Sequence, residues 1–146
     1  MKKQKEYLEL KRKHEKELED FPIAYAFSDK QLEEALVKLN ATKEECITVF
    51  GHGDIVKREN AKSLIKMMER QVEELQQRLR DDPDFAEAAF LYEMDNHEYA
   101  INWSADEDVL ACFNLSFEKI NKWGLQMAYR RARECHMKHA EEWGMI

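Results

Sequence analysis

The sequence predicts an α+β fold that is predominantly helical, with five or six helices, a small two-strand element and one long central helix. Three observations carry this expectation. Charged residues make up 36% of the 146 positions, well above the usual quarter, which favours long solvated helices over a sandwich of short strands. Only four glycines and two prolines occur, too few for many tight turns. Apolar residues recur at helical spacing along much of the chain. The length suits one domain, 1–146, large enough to bury a core without staples.

The elements follow in order. Residues 1–20 form a charged N-terminal helix whose apolar stripe runs Tyr7, Leu10, His14, Leu18 and on to Phe21, at steps of 3, 4, 4 and 3. Pro22 stops it, and "IAYAF" follows as an extended connector. "SDKQ" at 28–31 matches a capping box and opens a helix ending near Asn40. "CITVF" (46–50) reads as a strand, being β-branched, aromatic and followed by glycine. From 58 to 80 the seam Ile65, Met68, Val72, Leu75, Leu79 marks the long helix, whose simplest partner is the N-terminal helix packed antiparallel. Asp82-Pro83 is a cap followed by a first-turn proline, opening a helix to about Asp95. "HEYAINW" alternates and reads as the second strand, ending at Ser104. "SADEDVLACF" is a short helix with acids in its first turn, closed by Asn114 in a left-handed conformation. Ser116 caps the last helix, which carries Ile120, Trp123, Met127, Cys135 and Trp143.

Cys46, Cys112 and Cys135 are odd in number and widely spaced, so no disulfide framework is expected and a reducing, cytoplasmic location fits. The N-terminus lacks a signal-like apolar core, and no run reaches membrane-span length. Net charge is −7, unevenly placed. Residues 81–118 contain no Lys or Arg and eleven carboxylates: Asp81, Asp82, Asp84, Glu87, Glu93, Asp95, Glu98, Asp106, Glu107, Asp108 and Glu118. The remaining residues balance at +4. Such a segment attracts basic surfaces and repels nucleic acid.

Four constellations bear on chemistry. Gly51-His52-Gly53-Asp54 sits between a strand and a helix, where phosphate loops sit, but has neither recognised phosphate-binding spacing. A tight turn with His52 at its tip is the simpler account. "YEMDNHEY" gathers Glu93, Asp95, His97 and Glu98, donors for a metal, without the spacing of a helix-borne zinc motif. Cys135, His136 and His139 would supply an incomplete site from one helix. "DVLACFNLSFEKINKW" resembles a helix-turn-helix that would turn Phe117, Glu118, Asn121 and Lys122 to the major groove, yet its acids would meet phosphates.

The segments "YAFSDKQLEEAL", "GHGDIVKREN" and "FLYEMDNHEYAINW" resemble an uncharacterised family of small proteins from phages and mobile elements of gut bacteria, over roughly Phe21 to Trp143. That resemblance brings no catalytic residues. It implies a phage product acting in the host cytoplasm, a class that often inhibits host defence.

The resulting expectation is a non-enzymatic protein-interaction module, in its narrower form an anti-CRISPR-like inhibitor of a defence nuclease. It would use no cofactor or metal and would not bind nucleic acid or membrane directly. Asp81, Asp82, Asp84, Glu87, Asp95, Glu98, Asp106, Glu107, Asp108 and His52 would meet a basic protein surface. The alternatives are a helix-turn-helix regulator and a metal-assisted enzyme using His52, Glu93 or His97.

Overall fold

Helix ends fall where capping side chains stand. The computed structural model describes residues 2–146, and α1 spans Lys2–Asp20. Ser28 Oγ accepts from Gln31 N at 3.2 Å and Phe27 N donates to Gln31 Oε1 at 2.7 Å, so α2 begins at Asp29 and runs to Leu39, closed by Asn40 at φ 50. Helix α3 spans Arg58–Asp81. Asp82 then accepts from Asp84 N and Phe85 N, both at 3.1 Å, and Pro83 starts α4, Pro83–Asn96. Helices α5 (Ala105–Ala111), α6 (Phe117–Lys122) and α7 (Gln126–Glu142) complete seven among the described residues. The single last helix expected from Ser116 onward is thus divided. Gly124, at φ 69, turns the chain between α6 and α7.

The strands differ from expectation. There are three, β1 (Ala24–Tyr25), β2 (Cys46–Ile47) and β3 (Asp54–Lys57), in an antiparallel sheet ordered β1-β3-β2. The strand expected over 46–50 stops at Ile47 because the following groups bond to Asp54. That carboxylate, 1% exposed, accepts from Thr48 Oγ1 at 2.9 Å, Val49 N at 2.7 Å, Phe50 N at 3.0 Å and His52 N at 3.3 Å. Gly53 has φ 81, and a Cβ there would lie 2.5 Å from Phe27 Cε1. The Gly51-His52-Gly53-Asp54 turn therefore closes on its own acid, leaving the His52 side chain exposed.

"HEYAINW" is not a strand. Glu98 takes φ 51 after α4, and a 3-10 turn covers Tyr99–Ile101. The Ala100 N–H, which a strand would pair with another strand, donates to His136 Nε2 at 2.9 Å.

Two compact units divide the chain, one of Met1–Arg12 with Val72–Ile146 and one of Lys13–Gln71. In the second, Ile23, Val56, Ala61 and Leu64 form the core. There α1 and α3 run antiparallel, with Glu17 paired to Arg70 and Gln71 Nε2 donating to the His14 carbonyl at 3.1 Å. Ile65, expected in the seam, is 45% exposed, whereas Leu64 and Gln71 are buried. The buried glutamine shifts the face: its amide is satisfied, so it buries where a polar residue reads as surface.

In the first unit α4 is the centre. Phe85, Ala86, Ala88, Ala89, Phe90, Leu91 and Met94 are all buried, a pattern of burial on every side. Helix α7 packs along it, burying Ala128, Ala132 and Ala140; the small side chains on both helices let the backbones approach closely. Phe90 meets Phe113 and Tyr129 edge-on at 5.1 and 5.3 Å between centroids.

Asp54 makes acid sensitivity local. Burial by itself would raise its carboxyl, but the donors from Phe50, Val49, Thr48 and His52 outweigh this and hold it at about 2, below the ordinary 3.8. A depressed folded value means that the stabilisation is complete above the unfolded value and is lost as pH falls from about 4 through 2. Denaturant unfolding at pH 7 should find Asp54→Asn destabilised by about 2 kcal/mol, with the difference shrinking toward pH 2.

Candidate functional site

An all-round buried α4 must find partners for every polar side chain it carries. Glu93 is fully buried. Its Oε2 accepts from Tyr7 OH at 2.8 Å and Lys11 Nζ at 3.1 Å, both on α1. Its Oε1 is buried and has no hydrogen-bond partner among the described residues. One turn later stands His97, the C-cap of α4, and Cys112, the C-cap of α5, comes alongside with Sγ 3.4 Å from His97 Nε2. One oxygen of Glu93, one ring nitrogen of His97 and Cys112 Sγ all lie within 4.8 Å of one another.

The surroundings hold this trio in place. Cys112 Sγ donates to the Asp108 carbonyl at 3.3 Å. Asn102 Nδ2 bridges the His97 carbonyl, at 3.0 Å, and Asp108 Oδ2, at 2.9 Å. Burial pushes the Cys112 thiol up to about 11, and the Glu93 charge adds to it. A thiol so protonated is a poor nucleophile. Burial, then Glu93, also raises Tyr7, which remains a donor.

Asp95, two residues beyond Glu93, serves α7 instead. Its Oδ1 lies 2.7 Å from His136 Nδ1 and its Oδ2 3.0 Å from His139 Nδ1. Because His136 Nε2 accepts from the Ala100 amide, its proton sits on Nδ1 and points to Asp95. Cys135 Sγ lies 3.7 Å from His139 Nε2, and the Trp143 ring covers His139 at 5.1 Å. Each polar atom of this clamp that faces inward has a partner.

A third acid, Asp106 on α5, accepts Tyr99 OH at 2.7 Å and Tyr129 OH at 2.5 Å. Burial, then Asp106, raises both tyrosines. Beside them α5 and α6 border an open groove of about 800 Å3, lined by Trp103, Asp106, Glu107, Leu110, Leu115 and Phe117 among others. No Lys or Arg lines it. Trp103 is fully exposed, and Ile101 and Phe117 are about half exposed.

The carboxylates expected to face a partner are thus divided. Asp82 caps α4 and pairs with Lys3 at 2.7 Å, whose hydrogen bond holds it below the usual carboxylate range. Asp95 and Asp106 are committed as described, and Asp108, lowered by Asn102 and Ser104, binds the loop before α5. Asp81 accepts from Gln77 at 2.8 Å. Asp84, Glu98 and Glu107 are exposed and Glu87 is half-buried. His52 belongs to the second unit, apart from these. The helix-turn-helix shape is present as α5 and α6 around Asn114 at φ 51. In it Phe117 packs edge-on against Tyr129 at 5.7 Å, while Glu118, Asn121 and Lys122 are exposed.

Residues 6–134 match the family of unknown function DUF7659. The chain belongs to that family. No curated protein and no solved structure matches it. The DUF7659 span takes in Tyr7, Lys11, Glu93, His97 and Cys112, as well as the groove; His136, His139 and Trp143 lie beyond its end.

Sequence reading noted Glu93 and His97 but not Cys112, Tyr7 or Lys11 as their neighbours. The available signal was the i, i+4 spacing of Glu93 and His97, which shares a face only if α4 continues past Asp95.

The two histidines on α7 should differ in weight. His136→Ala leaves a cavity, an orphaned Ala100 N–H and half of the Asp95 carboxylate without a donor, and should cost about 3 kcal/mol in denaturant unfolding. His139→Ala, at a partly exposed ring, should cost about 1 kcal/mol. Equal losses would refute the assignment of His136 as the buried half of the clamp.

Proposed function

We propose that the protein is a non-enzymatic interaction module whose α5–α6 groove receives a basic, partly apolar segment of a partner protein. The observation that carries this reading is the fully exposed Trp103 at the edge of an open groove lined by acids and by no base. Exposed apolar patches with a polar rim are characteristic of interaction surfaces, and tryptophan is prominent among residues that dominate binding energy. Leu110, Leu115 and Phe117 supply apolar contact, and Glu107 supplies an exposed charge for a Lys or Arg. Charge complementarity of this kind speeds association and selects basic partners. The protonated Cys112 and the satisfied histidine clamp favour binding over nucleophilic catalysis. A nucleic-acid-binding effector, including a host defence nuclease, is the narrower partner class that the acid-rich 81–118 stretch and the resemblance to phage proteins favour.

The probe is a fluorescein-labelled amphipathic Lys/Leu peptide titrated with the full chain and followed by anisotropy. Binding should weaken with added salt. Trp103→Ala and Glu107→Gln should each weaken it about tenfold, about 1.4 kcal/mol, with melting unchanged because both side chains are exposed. Undiminished binding by Trp103→Ala would overturn the groove as the site. A concentration-dependent dimer that Trp103→Ala abolishes would overturn the basic partner and assign the groove to a second copy of the chain.

A further inference from the structure

A buried carboxylate oxygen with no hydrogen-bond partner is a costly arrangement in an otherwise satisfied core. Glu93 Oε1 is such an atom. The same carboxylate has its other oxygen fully engaged, by Tyr7 and Lys11, so the vacancy is directional. On the side of the vacancy stand an imidazole nitrogen and a thiol, the three donor atoms falling within 4.8 Å of each other.

We propose that Glu93, His97 and Cys112 bind a divalent transition-metal cation of the zinc class. Three features of the geometry support it. Two ligands with bonds of about 2.3 Å from sulfur and about 2.0 Å from nitrogen, set at the tetrahedral angle, stand about 3.5 Å apart; Cys112 Sγ and His97 Nε2 are 3.4 Å apart. A mixed sulfur, nitrogen and oxygen set suits zinc and its neighbours rather than calcium or magnesium, which take oxygen alone. The carboxylate is already oriented from behind by Tyr7 and Lys11, as ligating carboxylates are by their outer partners. The Lys11 ammonium stays on Oε2, leaving Oε1 for the metal. His97 and Cys112 are half-buried, which leaves a path from solvent and a fourth position for water or a ligand. This inference is independent of the groove and of its partner.

Cobalt(II) is the spectroscopic probe, titrated into reduced, metal-stripped full-length protein. The expected result is one equivalent bound with a thiolate-to-cobalt charge-transfer band, displaced by equimolar zinc. His97→Gln and Cys112→Ser should each weaken binding at least tenfold, Cys112→Ser also removing the band. Tyr7→Phe should weaken it by about tenfold, the size expected for an outer partner. Cys135→Ser, at the other cysteine–histidine pair, should change neither affinity nor spectrum. Absence of the charge-transfer band in the wild-type protein overturns the site, and that measurement needs no variant to fold. A band that survives in Cys112→Ser and disappears in Cys135→Ser overturns it equally, by placing the metal at Cys135 and His139.

Discussion

Helix α4 is buried on every side, and a helix so placed must still do something with the polar groups its sequence carries. Glu93 and Asp95 lie two residues apart and therefore emerge about 200° apart around the helix axis. Each has to be met by a different neighbour. Tyr7 and Lys11 reach Glu93 from α1, and His136 and His139 reach Asp95 from α7. These two carboxylates anchor the helices of the first unit to α4 through directed bonds, where apolar packing alone would permit sliding. Leaving either acid unmatched would cost several kcal/mol, more than a pair of apolar contacts returns.

The arrangement explains why a linear charge count misjudges this surface. Residues 81–118 contain no basic side chain, yet Lys3 and Lys11 from α1 lie against Asp82 and Glu93. Arg78 and Arg80 of α3 stack over Phe85 and Trp123, each at 4.4 Å. Positive charge thus returns to the acidic segment from elsewhere in the chain. What stays open is smaller: Glu107 and its apolar neighbours at the groove, with Asp84 and Glu98 exposed elsewhere. A binding mode centred on Trp103 with charge at its edge accords better with this distribution than one spread over all ten expected residues.

The glycine loop and the metal trio are opposite outcomes for similar raw material. In the loop, a single Asp gathers donors within six residues and is fully satisfied, so chemistry there is spent on holding a turn. In the trio, the donors come from two helix ends fifteen residues apart, and one carboxylate oxygen is left over. Local satisfaction produces architecture. Incomplete satisfaction in a buried place produces an opening for a ligand.

Much of this was legible from residue order alone, because caps and turn residues act through neighbours within four positions. Ser28 with Gln31, Asp82 with Pro83, Asn114 and Ser116 mark the boundaries where the helices begin and end. The predominance of helix follows from the same local rules and from apolar spacing. The sheet did not, since Thr48–Phe50 surrender strand bonding to the Asp54 carboxylate and Ala100 gives its N–H to His136. The α3 face was misplaced because Gln71 buries through a hydrogen bond to α1 that no spacing reveals. The candidate sites depended on tertiary structure for the same reason. Whether Glu93 lies in water or in a core, whether Cys112 comes to His97, and whether Trp103 is covered are set by contacts between segments distant in sequence, and side-chain burial is a property of the packed molecule.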